Sequence, residues 1–169
     1  MKIDFVSDVS CPWCAIGLNA LEEALARVAP GIQATVHFQP FELNPQMASE
    51  GEDIVEHLGR KYGIDAQQIA ANAEAIRQRG ESVGFSFGQG KRSRIYNTFD
   101  AHRLLHWAGL VDEGKQRALK HALFKAYFTD GLNPGDHGVL LQAATSAGLD
   151  GAEAGRILAG DAHAADVRE

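Results

Sequence analysis

The chain has 169 residues, enough for one domain with a full core, or a small core carrying an insertion, and too few for more than two domains. Apolar residues make up 45% and charged residues 22%, and no run approaches the roughly 18 consecutive apolar residues of a helical membrane span. A formal charge of −6 gives no electrostatic footprint for nucleic acid, and the one basic cluster, Lys91-Arg92-Ser93-Arg94, is expected to be a solvated loop.

In chain order, Ile3-Asp4-Phe5-Val6 alternates apolar and polar residues and predicts a first strand. No basic segment, apolar segment or small-residue cleavage site precedes it, which points to the cytoplasm. Cys11-Pro12-Trp13-Cys14 follows and holds the only two cysteines. Beyond it Ile16, Leu18, Leu21, Leu25 and Val28 lie close to one helical stripe. Pro30-Gly31 punctuates, and Ile32 to Phe41 reads as a second strand, which completes a βαβ unit. Leu43-Asn44-Pro45 ends it. From Asp53 to Gln78 the pattern is helical: Ile54, Leu58 and Tyr62 are spaced by four, and Asp65 with Gln68 is a capping-box signature for a further helix. The glycine-rich stretch Gly80 to Gly90 breaks the pattern and reads as a flexible connection. Gly84 to Ser93 has a superficial likeness to a phosphate loop, but Phe85 stands five residues before Gly90, Arg92 follows Lys91, and no strand precedes it. Helices are then expected over Tyr96 to Trp107, Glu113 to Phe128, Asp136 to Ala147 and Asp150 to Ala159, with Gly109, Gly131, Gly148 and Gly160 as their stops. One βαβ unit with a long helical region leaves only two strands, a poor parallel sheet unless further strands or a partner complete it.

The dithiol carries the chemistry. A free cysteine near pKa 8.5 is mostly protonated at neutral pH, and the thiolate is the nucleophile. With Cys11 as helix N-cap and Pro12 as the first helical residue, the amides of Trp13 and Cys14 point back at the Cys11 sulfur and favour its negative form. Cys11 is therefore expected to attack, and Cys14, one turn further in, to resolve the mixed disulfide. A structural disulfide across two residues closes too small a loop to be a useful staple. Zinc is the stronger rival, since Cys-x-x-Cys is half of many zinc sites and His102 and His106 lie at i, i+4. That pair would have to converge with the cysteines, and no metal ligand is assigned. Trp13, between two sulfurs at a helix start, is expected to offer an exposed apolar face to a partner.

Cys11 to Cys14, between a strand and a helix, resembles the DsbA family of thioredoxin-fold oxidoreductases. Phe38-Gln39-Pro40-Phe41-Glu42-Leu43-Asn44-Pro45 and Asn97-Thr98-Phe99-Asp100-Ala101-His102-Arg103-Leu104 extend the likeness to its FrnE-like branch. The branch is similar to 2-hydroxychromene-2-carboxylate isomerases and kappa-class glutathione transferases, which generally carry serine at the position of Cys11. The resemblance implies an α/β fold: a thioredoxin-like βαβ core with a large α-helical insertion. It divides the chain into residues 1–45 as the N-terminal half of the core, 46–160 as the insertion, and 161–169 as the start of the return. The family's cis-proline loop and final ββα segment have no counterpart before Glu169, so the chain is expected to be an N-terminal portion of such a protein. The implied function is thiol–disulfide exchange by Cys11 and Cys14, with Pro12, Trp13, Asn44 and His102 lining the substrate groove and no cofactor. The implied partners are protein or small-molecule thiols and disulfides, glutathione among them, and a second copy of the chain in a dimer. Nucleic acid and membranes are not expected as partners. A glutathione-dependent isomerase or transferase, and a non-catalytic zinc-binding module, are the alternatives.

Overall fold

The computed structural model describes residues 1–169. Strand β1 (Lys2–Ser7) runs into the dithiol turn and α1 (Pro12–Val28), and β2 (Thr35–Pro40) returns parallel to β1, with Phe5 opposite Phe38 and Ser7 opposite Pro40. The second strand starts three residues later than its apolar pattern suggests. Only these two strands form the parallel sheet.

Helical packing and one side chain make so small a sheet tenable. Ala15 and Leu18 of α1 pack with Phe38, with Phe5 and Val36 at the edge of the same cluster. Gln116, from the helical region, accepts from the Phe38 amide at 3.4 Å, and its Nε2 donates to the Phe38 carbonyl at 3.4 Å and to the Leu105 carbonyl at 3.0 Å. It thus occupies the backbone groups that a further strand would take, which blunts an otherwise open edge.

The helical region comprises α2 (Ile54–Tyr62), α3 (Ala66–Ser82), α4 (Phe99–Val111), α5 (Glu113–Phe124), α6 (His137–Ser146), α7 (Gly151–Ala159) and the short α8 (Ala164–Arg168). Aspartates start most of these helices: Asp53, Asp65, Asp112, Asp136 and Asp150 each accept an amide hydrogen bond from the first turn, and Asp65 with Gln68 closes the expected capping box. Each such cap contributes about 1 kcal/mol. Val9 of the dithiol turn is fully buried in a core otherwise made by α4 to α7 and the loop between α6 and α7.

Several boundaries differ from the pattern-based expectation for physical reasons. Helix α4 starts at Phe99 rather than Tyr96 and runs through Gly109 to Val111. Gly109 is no helix stop: a Cβ there would sit 2.6 Å from Gln116 Nε2, so it makes room for the side chain that caps β2. The helix expected to reach Phe128 changes at Lys125–Thr129 into a π-helical turn, which brings Tyr127 and Phe128 into the core. Gly160 follows α7 without the left-handed conformation that Gly148 adopts. Two short strands, β3 (Glu52–Asp53) and β4 (Arg94–Ile95), pair antiparallel and were not signalled by any period.

The stretch from Gly80 to Gly90 is not a flexible connection. Phe85 is buried, and Phe85, Phe87 and Phe128 form a mutually edge-on trio with centroids 4.9 to 6.4 Å apart. The basic cluster is likewise only partly a solvated loop. Arg92 lies 4.9 Å from the Phe128 ring centroid and 5.3 Å from that of Tyr127, while Arg94 donates to the Glu50 and Gly51 carbonyls. Gly88 is required by close approach, since a Cβ there would meet the Thr129 carbonyl oxygen at 2.0 Å. Replacing it by alanine is expected to cost about 2 kcal/mol in chemical denaturation. A change within about 0.5 kcal/mol, the usual size at open surface positions, would show a loosely held loop instead.

Candidate active site

Cys11 is the N-cap of α1 with extended backbone angles, and Pro12 is the first helical residue, where its missing N–H leaves no donor unpaired. The Cys11 carbonyl accepts from the amides of Cys14 at 3.1 Å and Ala15 at 3.3 Å, which closes the first turn and sets the two sulfurs on one face. Both cysteines are free thiols and half-buried. The Cys11 sulfur closes no capping hydrogen bond of its own. The Cys14 thiol hydrogen-bonds to it, and that outweighs partial burial; the amides of Cys14 and Trp13 add to the effect and the charge of Asp8 opposes it, so the Cys11 thiol is brought down to about 6. Donating that hydrogen bond pushes Cys14 well above the ordinary thiol range, and burial acts in the same direction. The two thiols are thus made unequal by one another.

Beneath the turn stands a carboxylate that the sequence reading did not single out. Asp8 is 2% exposed and accepts from five donors. Thr98 Oγ1 at 2.7 Å, His102 Nε2 at 3.1 Å and the Ser10 amide at 3.4 Å reach Oδ1; the Leu43 amide at 2.8 Å and Ser10 Oγ at 3.1 Å reach Oδ2. Burial disfavours its charge, but His102, Leu43 and Thr98 more than offset it and hold the carboxyl at about 2. Because an ionised carboxylate only accepts, the proton on His102 Nε2 points at Asp8. Thr98, the N-cap of α4, gives its hydroxyl to Asp8 and makes no cap bond to its own helix.

Lys120 is a second buried charge that the sequence reading missed. It is 1% exposed, with Nζ 5.0 Å from the Phe124 ring centroid and 6.0 Å from that of Phe38. Burial lowers it to about 8, against the pull of Asp8, Cys14 and Cys11. A lysine beside Leu119 and before Leu123-Phe124 interrupts an apolar stripe, and that was the available signal. For Asp8 the signal was a carboxylate three residues before the first cysteine.

The other expected residues are placed as follows. Trp13 is 56% exposed beside the sulfurs. His102 is buried on Asp8. Asn44 accepts from Lys61 Nζ at 3.0 Å, a bond that ties the segment after β2 to α2. His102 and His106 do not converge with the cysteines: His106 Nε2 lies 3.7 Å from Asp166, and neither cysteine belongs to a group of three convergent ligand residues. A cleft of about 650 Å³ is lined by Pro40, Phe41, Glu42, Pro45, Asn97 and Phe99, with Asp100 and the last three residues. It contains no sulfur but joins two of the segments on which the resemblance rested.

The fold and the dithiol define a thioredoxin-like oxidoreductase scaffold. Residues 2–169 match the DSBA-like thioredoxin domain model, and the chain belongs to that family. It is 32% identical to a probable DsbA oxidoreductase from Streptomyces coelicolor, whose crystal structure superposes with a TM-score of 0.90 over 99% of this chain and 72% of that one. It is 29% identical to the uncharacterized protein YwbO of Bacillus subtilis over 90% of this chain and 68% of that protein. The cytosolic disulfide reductase DsbM from Pseudomonas aeruginosa, in its structure with GSH, shares the fold at 18% identity, with a TM-score of 0.62 over 99% of this chain and 78% of that one.

Replacing Asp8 by asparagine keeps the volume but sets an NH2 group among donors, and is expected to cost about 3 kcal/mol in chemical denaturation at pH 7. The folded-state value lies below the ordinary carboxylate value of 3.8, so the charge contribution is fully present above about pH 4 and is lost as pH falls toward 2. The difference between wild type and Asp8→Asn should therefore be the same at pH 7 and pH 5 and narrow below pH 4.

Proposed function

We propose that the chain is a thiol–disulfide oxidoreductase in which Cys11 is the nucleophile and Cys14 the resolving thiol. The observation that supports this reading most is the inequality of the two sulfurs: Cys11 lowered to about 6 at the head of α1, Cys14 raised by its hydrogen bond to Cys11. The Cys11 thiolate attacks one sulfur of a partner disulfide, the sulfur–sulfur bond breaks, and the first partner thiolate leaves. Cys14, once deprotonated, attacks the Cys11 sulfur and expels the second partner thiolate. Two electrons pass to the partner, and a Cys11–Cys14 disulfide remains; the reverse sequence oxidises a partner dithiol.

In this reading Pro12 and the exposed Trp13 form the partner-facing lip. Asn44 and His102 act at one remove: Asn44 holds the segment after β2, and His102 holds Asp8 beneath the turn. Partners are protein disulfides or small thiols such as glutathione, the ligand named for the DsbM structure. A cytoplasmic setting belongs to the same proposal, in line with the cytosolic description of DsbM. Lys120 supports the second step, because a buried cation near Cys14 favours the thiolate that Cys14 must form.

Thiol trapping tests the roles. Cys14→Ser is expected to accumulate mixed disulfides with a model disulfide, and Cys11→Ser to form none; the opposite pattern overturns the assignment. Because the folded Cys11 value is depressed, its thiolate is present above about pH 6 and lost below it, so iodoacetamide labelling of Cys11 should rise with a midpoint near 6. A midpoint near 8.5, the value of a free cysteine, would remove the basis for Cys11 as nucleophile. Lys120→Met is expected to slow release of the mixed disulfide by about tenfold, equivalent to one pKa unit at Cys14, while leaving Cys11 labelling at pH 8 unchanged. An unchanged release rate would exclude Lys120 from the step.

A further inference from the structure

All seven histidines stand within ion-pair distance of a carboxylate: His37 on Glu113, His57 on Glu52, His102 on Asp8, His106 and His163 on Asp166, His121 on Glu22 and His137 on Asp100. A histidine–carboxylate pair is therefore commonplace in this chain and signals nothing by itself. One arrangement is different. His106 Nε2 and His163 Nδ1 both face the same oxygen, Asp166 Oδ2, at 3.7 and 3.2 Å, and all three ligand atoms lie within 4.8 Å of one another.

Those spacings suit a shared ion. Ligands about 2.1 Å from a tetrahedral metal stand roughly 3.4 Å apart, and the two edges of this triangle that meet at Asp166 fall on either side of that figure. The two imidazoles are neighbours with centroids 5.3 Å apart and planes tilted by 44°.

Two further observations indicate that the triangle is held rather than chanced upon. His163 is the one non-glycine residue in the left-handed region, at φ 62°, a conformation that costs energy for a residue with a side chain and turns the ring toward α4. The loop before it is pinned to the same helix that carries His106. Arg103, buried on α4, donates to the carbonyls of Ile157 at 2.5 Å, Gly160 at 2.6 Å and Ala162 at 2.9 Å, and to Asp100 at 2.8 Å. One guanidinium thus fixes the approach to His163, and His106 follows Arg103 by three residues on α4.

We propose that His106, His163 and Asp166 form a binding site for a divalent first-row transition ion, with imidazole and carboxylate ligands suited to zinc. The site uses neither cysteine and is separate from the dithiol. Three protein ligands leave a coordination position open, and the side chains are 30%, 22% and 49% exposed, so the ion would be reached from solvent. Bound, it would tie α8 to α4.

The test uses the full chain with the dithiol oxidised, and in parallel a Cys11→Ser/Cys14→Ser double variant, so that no thiolate competes. Titration with Zn2+ against a chromophoric chelator, and with Co2+ followed by its visible absorption, is expected to show one equivalent bound in both proteins. His106→Ala and Asp166→Asn should each weaken binding by more than about 100-fold, with the far-ultraviolet circular dichroism unchanged. His137→Ala, at an ordinary histidine–carboxylate pair, should leave it intact. No stoichiometric binding of either ion, or binding indifferent to His106 and Asp166, would overturn the proposal. Because the dithiol is blocked throughout, the result is independent of the redox roles of Cys11 and Cys14.

Discussion

The dithiol turn depends on one buried carboxylate. Asp8 ends the run from β1 and draws together the amide of Leu43 from the segment after β2, and Thr98 and His102 from the start of α4. Leu43, Thr98 and His102 belong to two of the sequence segments that resembled one family, and Asp8 stands three residues before the third. Their joint presence has a physical cause: the two later segments supply donors to the oxygens of Asp8, and Ser10, directly before Cys11, supplies two more. Hydrogen bonds to a buried charge are worth more than neutral ones, and leaving one unmet costs the full desolvation of the group. The turn that carries Cys11 is held from below by this cluster and by Val9, whose side chain is sealed in the helical core.

The same carboxylate works against the chemistry above it. A fixed negative charge near Cys11 raises the energy of its thiolate, and burial does too. The thiolate is nonetheless favoured, because its stabilising groups are nearer and directed: the Cys14 thiol first, then the amides of the first helical turn. Pro12 helps by contributing no N–H, so the donors available at the head of α1 belong to Trp13 and Cys14. The low position of Cys11 thus comes from local geometry in four residues, while the surrounding charges set how far it goes.

What the sequence disclosed and what it hid follow the range of the interactions. The dithiol, the helix that follows it and the Asp65–Gln68 capping box are local, and spacing alone exposed them. The dependence of Asp8 on Thr98 and His102 spans 90 and 94 residues, and no period announces it. His102 and His106, an i, i+4 pair by sequence, serve different partners once folded: His102 meets Asp8, and His106, one turn further along α4, meets Asp166 of α8. Gly109 and the Gly80–Gly90 stretch were misread for a related reason. Glycine looks the same in sequence whether it frees the chain or admits a close neighbour, and here the neighbours are Gln116 and Thr129, which belong to other elements.

The charges around the sulfurs fall into two kinds. Asp8 has five donors and a value near 2, so it remains ionised throughout the neutral range and cannot take up the proton that Cys14 must lose. Lys120 has the opposite character. It sits among aromatic rings, burial has brought it to about 8, and its charge is therefore sensitive to what happens at the dithiol. When two thiols become a disulfide, the negative charge that favoured the ammonium disappears, and the cost of keeping Lys120 charged in an apolar setting rises. Reduced and oxidised forms thus differ in more than a sulfur–sulfur bond. They differ in the balance of a charge pair whose acidic member is immobilised by the fold and whose basic member comes from α5, so the helical region bears directly on the energetics of the dithiol.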